Sequence, residues 1–230
     1  SVTTADLNGD GRIDIVTTNT SDNTVTVFLN QGSGTFLGSN PAYNSTVSQP
    51  ISVVARDMNN DGRIDLVVAS WYSDNVAVLL NQGAGVFPTT NPTISVAHAY
   101  QIDVGDLNGD GLMDIASSGG YVLNQGSMAF STQTGFGMTS DCLGFRIGDL
   151  NGDAKPDVLC ANYSGGTVSV AINRGNGTFY NTTQSYPANA SPYPCAMADV
   201  NLDGLLDAVV PNPDANTCTV LLNTGYVPCP

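Results

Sequence analysis

Glutamate is absent from all 230 residues, and the chain carries only one histidine, one tryptophan and six basic residues. Each scarcity removes a class of function. Without Glu, no loop can end in the bidentate Glu that an EF-hand places at its twelfth position. Lys155 and five scattered Arg residues cannot make the clustered basic face that grips a nucleic-acid backbone, so no nucleic-acid partner is expected. His98 is the sole imidazole, which leaves a Ser-His-Asp or Cys-His arrangement one candidate base. Within Ala97-His98-Ala99-Tyr100 it reads as structural or surface. No apolar run approaches the roughly 20 residues of a membrane helix, so no membrane span is expected. No signal peptide is expected ahead of Ser1, and a chain opening on Ser reads as a processed or trimmed product.

What the chain has in quantity is aspartate, and it is concentrated. Five loops hold 15 of the 20 acidic residues, against a formal charge of -14. The first runs Asp6-Leu7-Asn8-Gly9-Asp10-Gly11-Arg12-Ile13-Asp14, and copies begin at Asp57, Asp106, Asp149 and Asp199. Asp stands at positions 1, 5 and 9 of every copy and Asn at position 3. Alternating oxygen side chains around a Gly turn are what a hard cation requires of a short loop, which points to up to five Ca2+ sites. The expected side-chain ligands are Asp6, Asn8, Asp10 and Asp14; Asp57, Asn59, Asp61 and Asp65; Asp106, Asn108, Asp110 and Asp114; Asp149, Asn151, Asp153 and Asp157; Asp199, Asn201, Asp203 and Asp207. Position 7 would contribute a backbone carbonyl from Arg12, Arg63, Leu112, Lys155 and Leu205, whose variety suits a main-chain role. Five divalent ions would bring the charge to about -4. Position 12 holds Thr17, Val68, Ser117, Cys160 and Val210, which again excludes an EF-hand. Isolated Asp-Gly turns are common in hairpins, but unscreened carboxylates repel, and five such triplets are hard to account for as turns alone. The fourth loop has Ala154 where the others have Gly. If that position requires positive φ, Ala costs on the order of 1 kcal/mol and this site binds weakest.

The loops recur at spacings of 51, 49, 43 and 50 residues. A second signature follows each one: Asn30-Gln31-Gly32-Ser33-Gly34-Thr35-Phe36, then turns at Asn81, Asn124, Asn173 and Asn223. The step from position-9 Asp to this Asn is 16, 16, 10, 16 and 16 residues, tight enough to fix a strand register. The third repeat has lost six residues, so Ser117-Ser118-Gly119-Gly120 should be a tight hairpin. Short β-branched runs bounded by Gly, Asn, Asp and Pro read as strands, in the second repeat at 51–56, 64–70, 75–81 and 86–90. No helical period is present. Four antiparallel strands per unit, with apolar runs such as Leu66-Val67-Val68-Ala69 buried on both faces, describe a β-propeller blade. The expected fold is all-β: one domain over 1–230, five four-stranded blades near 1–48, 49–98, 99–140, 141–190 and 191–230, each with a calcium loop between its first two strands.

The loop Asp-x-Asn-x-Asp-Gly-x-x-Asp with the later Asn-Gln-Gly-x-Gly-x-Phe resembles the FG-GAP/VCBS repeat of integrin-α-like propellers over essentially the whole chain. That resemblance implies a calcium loop joining the two inner strands of each blade on one face of the disc. It also implies ligand contacts on the opposite face. Familiar members have seven blades and five are counted here, so the chain is either a compact ring or a section of a larger one. Five residues before Asp6 suffice for one short strand, and two prolines in Tyr226-Val227-Pro228-Cys229-Pro230 weaken a last outer strand. An incomplete edge invites a strand from another chain.

Cys142, Cys160, Cys195, Cys218 and Cys229 lack zinc-like pairing and are expected to form two disulfides and one odd thiol in an oxidising compartment. Sequons at Asn19, Asn44, Asn162, Asn176, Asn181 and Asn189 are candidate glycosylation sites. Outside the loops, Asp22, Asp74, Asp103, Asp141 and Asp214 form no recognisable acid/base pair. Trp71-Tyr72 is the candidate sugar-stacking or protein-contact site, joined by Tyr100, Tyr121 and Tyr163 if they share its face. The function expected is a non-catalytic, secreted or cell-surface structural module for adhesion or assembly, with a protein or glycan partner. A homo-oligomer or filament fits that expectation. The alternatives are a lectin, or a non-catalytic domain of a larger secreted enzyme or receptor.

Overall fold

In a computed structural model the described residues are 1–37, 41–70, 72–138, 141–180 and 184–225. They are all-β, apart from one 3-10 turn at Pro213–Ala215. Five small antiparallel sheets follow one another along the chain. The first takes Val2–Ala5, Asp14–Asn19, Thr24–Phe28 and Ala42–Asn44 in that order. The second takes Pro50–Arg56, Asp65–Ser70, Asn75–Leu79 and Thr93–Ser95, and the fourth Cys142–Gly148, Asp157–Asn162, Thr167–Ala171 and Gln184–Pro187. The third has Ile102–Gly105, Asp114–Ser117 and Gly120–Val122; the fifth has Ala196–Ala198, Asp207–Asn212 and Thr217–Leu221. In every sheet the acidic loop joins the first strand to the second.

The sheets stack face to face in sequence order, and a buried apolar cluster lies between each consecutive pair. Leu66 and Val68 pack toward the first sheet while Val67 and Ala69 pack toward the third. A strand buried on both faces has no polar side to alternate with, which is why this run is uniformly aliphatic. None of the four clusters joins the fifth sheet to the first.

Three expectations need correction. The segment 86–90 is not the second sheet's last strand. Gln82 and Val86 close a separate tight turn, Phe87 drops into the core against Tyr43 at 5.3 Å, and the strand begins only at Thr93, opposite Ala77. In the first repeat the same turn makes its own small hairpin, Asn30–Gly32 with Thr35–Phe36. Four strands per unit also fails in the third sheet, where the outer strand shrinks to one bridge between Tyr121 and Thr134. Tyr121 is too deeply buried there to belong to any exposed aromatic site: its hydroxyl donates to the Gly177 carbonyl, and its ring packs among Phe136 and Phe179. The fifth sheet's outer strand, and Cys229 with it, falls outside the described residues.

Cysteine pairing is the third. Cys142 and Cys160 are bonded across adjacent strands with Cα atoms 5.5 Å apart, while Cys195 and Cys218 are free. They cannot meet, because Cys195 is buried against the fourth sheet and Cys218 is exposed on the opposite face. Burial pushes the Cys195 thiol up to about 12. The expected hairpin is present: Ser117 pairs with Gly120, leaving Ser118 and Gly119 as the loop.

Candidate metal centres

Each acidic loop is first a knot of hydrogen bonds. The position-1 carboxylate accepts from the amides ahead of it: Asp6 takes Gly9 at 2.8 Å, Asp10 at 3.2 Å and Gly11 at 2.8 Å. Desolvation would raise its pKa, but together those donors hold the carboxyl below the ordinary carboxylate range. Asp106 and Asp149 repeat the pattern with Gly109, Asp110 and Gly111 and with Gly152, Asp153 and Ala154. Asp57 and Asp199 take their fifth- and sixth-position amides. The side-chain oxygens of Asn8, Asn59, Asn108, Asn151 and Asn201 accept the position-5 amide at 3.0 to 3.1 Å. The position-5 carboxylates of Asp10, Asp61, Asp110, Asp153 and Asp203 accept the position-7 amide.

Aiming successive amides at one carboxylate needs left-handed backbone at two places. Position 6 has φ of 82°, 81°, 83° and 88° at Gly11, Gly62, Gly111 and Gly204, and Ala154 is forced to 63°. Position 4 is left-handed too, which the pattern did not disclose: Leu202 sits there at 64° and is 89% exposed. Three loops therefore carry one non-Gly residue in this region: Asn60 at 59° in the second, a residue type that tolerates it, and the more strained Ala154 and Leu202 in the fourth and fifth.

The position-9 carboxylates are the anchors. Asp14, Asp65, Asp114, Asp157 and Asp207 are fully buried. One oxygen accepts the amide of position 2 (Leu7, Met58, Leu107, Leu150, Val200) and the other that of the signature Asn, all between 2.7 and 3.0 Å. That bond recurs in all five repeats, across 16 residues in four of them and across 10 in the shortened third. Burial, and after it the charge of the two neighbouring loop carboxylates, raises Asp65, Asp114 and Asp157 to about 6.

The Asn side chains then tie sheet to sheet. Asn81 donates to the Leu7 carbonyl of the preceding loop at 2.8 Å, Asn124 to Met58 at 3.1 Å, Asn173 to Leu107 at 3.0 Å and Asn223 to Leu150 at 2.6 Å. Asp103 adds a tether, accepting the Ile147 amide of the fourth sheet at 3.0 Å. The spacing shared by four of the five repeats was the available signal for the Asn role; Asp103 left none.

Position 7 is not limited to its backbone. Arg12, Arg63 and Lys155 pair with the position-5 carboxylates Asp10, Asp61 and Asp153, whereas Leu112 and Leu205 supply no charge. Among the described residues no three acidic, Cys or His groups converge into a ready-made cage, because the loop carboxylates face amides and these cations. The donor set nonetheless fits a hard dication in kind and number: three carboxylates, an amide oxygen and a backbone carbonyl per loop. The crowding of charge on the buried Asp65, Asp114 and Asp157 is the observation that favours it.

The other candidates scatter. Tyr72 is 71% exposed, while Trp71 lies outside the described residues. His98 is exposed, its amide bonded to Asp74. Asp141 and Asp214 accept bonds from Ser164 and Ser191 in turns. Asn162 is buried, with its amide nitrogen bonded to Thr167 and Ser169, and Asn19 is likewise spent on Thr24 and Thr26. Asn44, Asn176 and Asn189 are exposed, and Asn181 is outside the described residues. No helix among the described residues is long and apolar enough to cross a membrane.

An FG-GAP-like repeat model matches residues 6–68, 57–117 and 149–210. No curated protein sequence matches the chain significantly. Among solved structures, the V. cholerae biofilm matrix protein Bap1 is similar at 22% identity and TM-score 0.53, over 98% of this chain and 37% of that one. BBS1N, solved in complex with ARL6DN, is similar at 17% identity and TM-score 0.56, over 99% of this chain and 68% of its own. A functionally unknown protein from Desulfotomaculum acetoxidans is similar at 17% identity and TM-score 0.56, over 91% and 65%. At these identities the likeness is one of fold. The chain thus spans little more than a third of Bap1 and about two thirds of the other two.

Proposed function

The chain belongs to the FG-GAP-like repeat family, and from that premise we propose a non-catalytic, calcium-stabilised extracellular module for adhesion or assembly. In this reading the five sheets are blades of a β-propeller and the five acidic loops are its metal sites. The observation that carries it is the double role of each loop. Its position-9 Asp is bolted to its own sheet, and in four loops the position-2 carbonyl receives the Asn of the next. Calcium would supply the positive charge that three crowded carboxylates lack, and the stiffened loop would hold two sheets in register. The Cys142–Cys160 disulfide supports an oxidising, extracellular setting.

Equilibrium dialysis of the chelator-treated chain tests the proposal by counting ions. Binding of several calcium ions per chain, abolished loop by loop when the position-1 Asp is changed to Ala, is expected. A chain that binds none refutes it. Two other readings have an observation each. The exposure of Tyr72 favours a lectin, which a glycan array would reveal. The 37% coverage of Bap1 favours a non-catalytic domain of a larger secreted enzyme or receptor, which the full-length transcript would reveal.

A further inference from the structure

We propose that Asn81, Asn124, Asn173 and Asn223 are each a positioning residue for two metal sites at once: the loop of their own sheet and the loop of the sheet before it. The inference rests on the metal-site reading above and adds to it residues that lie outside every acidic loop.

The division of the side-chain amide carries it. An Asn NH2 group has two hydrogens to give. Asn81 donates to the Leu7 carbonyl of the first loop at 2.8 Å and to the Ile64 carbonyl of the second at 2.9 Å. Asn124 is divided in the same way between Met58 and Met113, Asn173 between Leu107 and Pro156, and Asn223 between Leu150 and Leu206. Each Oδ1 accepts the amide two residues on, from Gly83, Gly126, Gly175 or Gly225, which fixes the way round the group lies. A carboxylate in its place would lose both donors, and an alkyl side chain would leave two carbonyls and an amide unpaired. Asn81, Asn124 and Asn173 are buried, so water does not replace these bonds.

The carbonyls that receive the bonds lie between ligand positions. Ile64, Met113, Pro156 and Leu206 stand at position 8, between the position-7 carbonyl and the position-9 carboxylate. Leu7, Met58, Leu107 and Leu150 stand at position 2, between the position-1 carboxylate and the position-3 amide oxygen. Their own N–H groups are already bonded to the position-9 carboxylate, so the Asn completes the fixing of that residue from the far side. Turning either peptide would carry the flanking ligands with it. The donor set is therefore held in place from both sides before an ion arrives. The third loop has a reserve, since its Leu107 carbonyl also accepts the Gly177 amide at 3.1 Å. Asn30 offers a single-site comparison, because the one loop it reaches among the described residues is its own, at the Ile13 carbonyl.

A calcium titration by NMR on the whole chain tests this, read loop by loop at the position-6 amides of Gly11, Gly62, Gly111, Ala154 and Gly204. Removing a group that orients metal ligands typically costs about 10- to 100-fold in affinity. Asn81→Ala should therefore weaken the first and second loops by at least about tenfold each and leave the other three at their wild-type midpoints. Asn30→Ala should weaken the first loop alone. Asn223→Ala, at a half-buried position, should move the affected pair to the fourth and fifth loops, and it carries the test if Asn81→Ala does not fold. A purely structural Asn would lower the urea midpoint without selecting a pair of loops. Variants in which only the Asn's own loop weakens, in which all five weaken alike, or in which none does, overturn the proposal while wild-type binding stands. A wild-type chain that binds no calcium rejects the metal-site reading and the proposal together.

Discussion

Replacing Arg63 by Leu should tighten calcium binding at the second loop while leaving the others unchanged. The Arg63 guanidinium is paired with Asp61 and its Nε donates to the Asn81 carbonyl at 2.7 Å, so it is pinned beside the loop. The side chain is about half exposed, and a water-like dielectric applies. The repulsion between a single and a double positive charge ~5 Å apart in water is about 1.7 kcal/mol, and it opposes binding. The Arg–Asp pair that must be shared or broken adds ~0–1 kcal/mol. The expected gain is roughly twenty- to a hundredfold in affinity. The third loop supplies the reverse test, since Leu112 already stands at that position. Leu112→Arg should weaken it by a similar factor. Amide resonances of Gly62 and Gly111 report the two loops separately in a calcium titration by NMR. Losing the bond to Asn81 costs the metal-free fold about 1 kcal/mol, which urea denaturation reads independently. If the Gly62 titration midpoint is the same in Arg63→Leu as in wild type, charge at position 7 does not tune the sites and the reasoning fails. Unaltered affinity in Leu112→Arg would refute it equally.

Ala154→Gly and Leu202→Gly should each stabilise the chain by about 1 kcal/mol through relief of left-handed strain, visible as a higher urea midpoint. A lower midpoint for both would show that those positions are not strained. Asp114→Ala leaves the buried amides of Leu107 and Asn124 without an acceptor and should cost about 2–4 kcal/mol even without metal. Without calcium, Asp65, Asp114 and Asp157 titrate near 6, above the 3.8 of an unperturbed Asp, so the folded state holds more protons than the unfolded one between these values. Metal-free stability should therefore rise as pH falls from 7 to about 4, by on the order of 1–3 kcal/mol per carboxylate, and fall over the same interval with calcium present. Metal-free urea midpoints that drop on acidification would contradict the assignment.

Much of this molecule is legible because a repeat states its own pattern five times. The apolar run at Leu66–Ala69 announces a strand buried on both faces, and the shortened third repeat announces the turn at Ser117–Gly120. What escaped lies where local chemistry and tertiary contact diverge. The segment 86–90 has strand-like composition, but Phe87 is claimed by the core and Pro88 has no amide to give a ladder. Leu202 does not look like a left-handed residue, yet the loop's hydrogen bonds compel it to be one. The recurring interval from Asp to Asn, 16 residues in four of the five repeats, was visible as a number. Its cause, a buried carboxylate holding the Asn amide while the Asn side chain holds the next loop, required the fold. Cysteine pairing depends on which face of a sheet each thiol occupies, and five spaced cysteines do not disclose that.

Calorimetric melting of the chelator-treated chain as calcium is added back tests the central claim most directly. If the acidic loops are metal sites that hold the sheets in register, the unfolding temperature climbs continuously with calcium concentration, because ions bind the folded loops and not the unfolded chain. A melting temperature that does not move with calcium would mean that the loops are held by their amides and cations alone, and that the metal has no part in this structure.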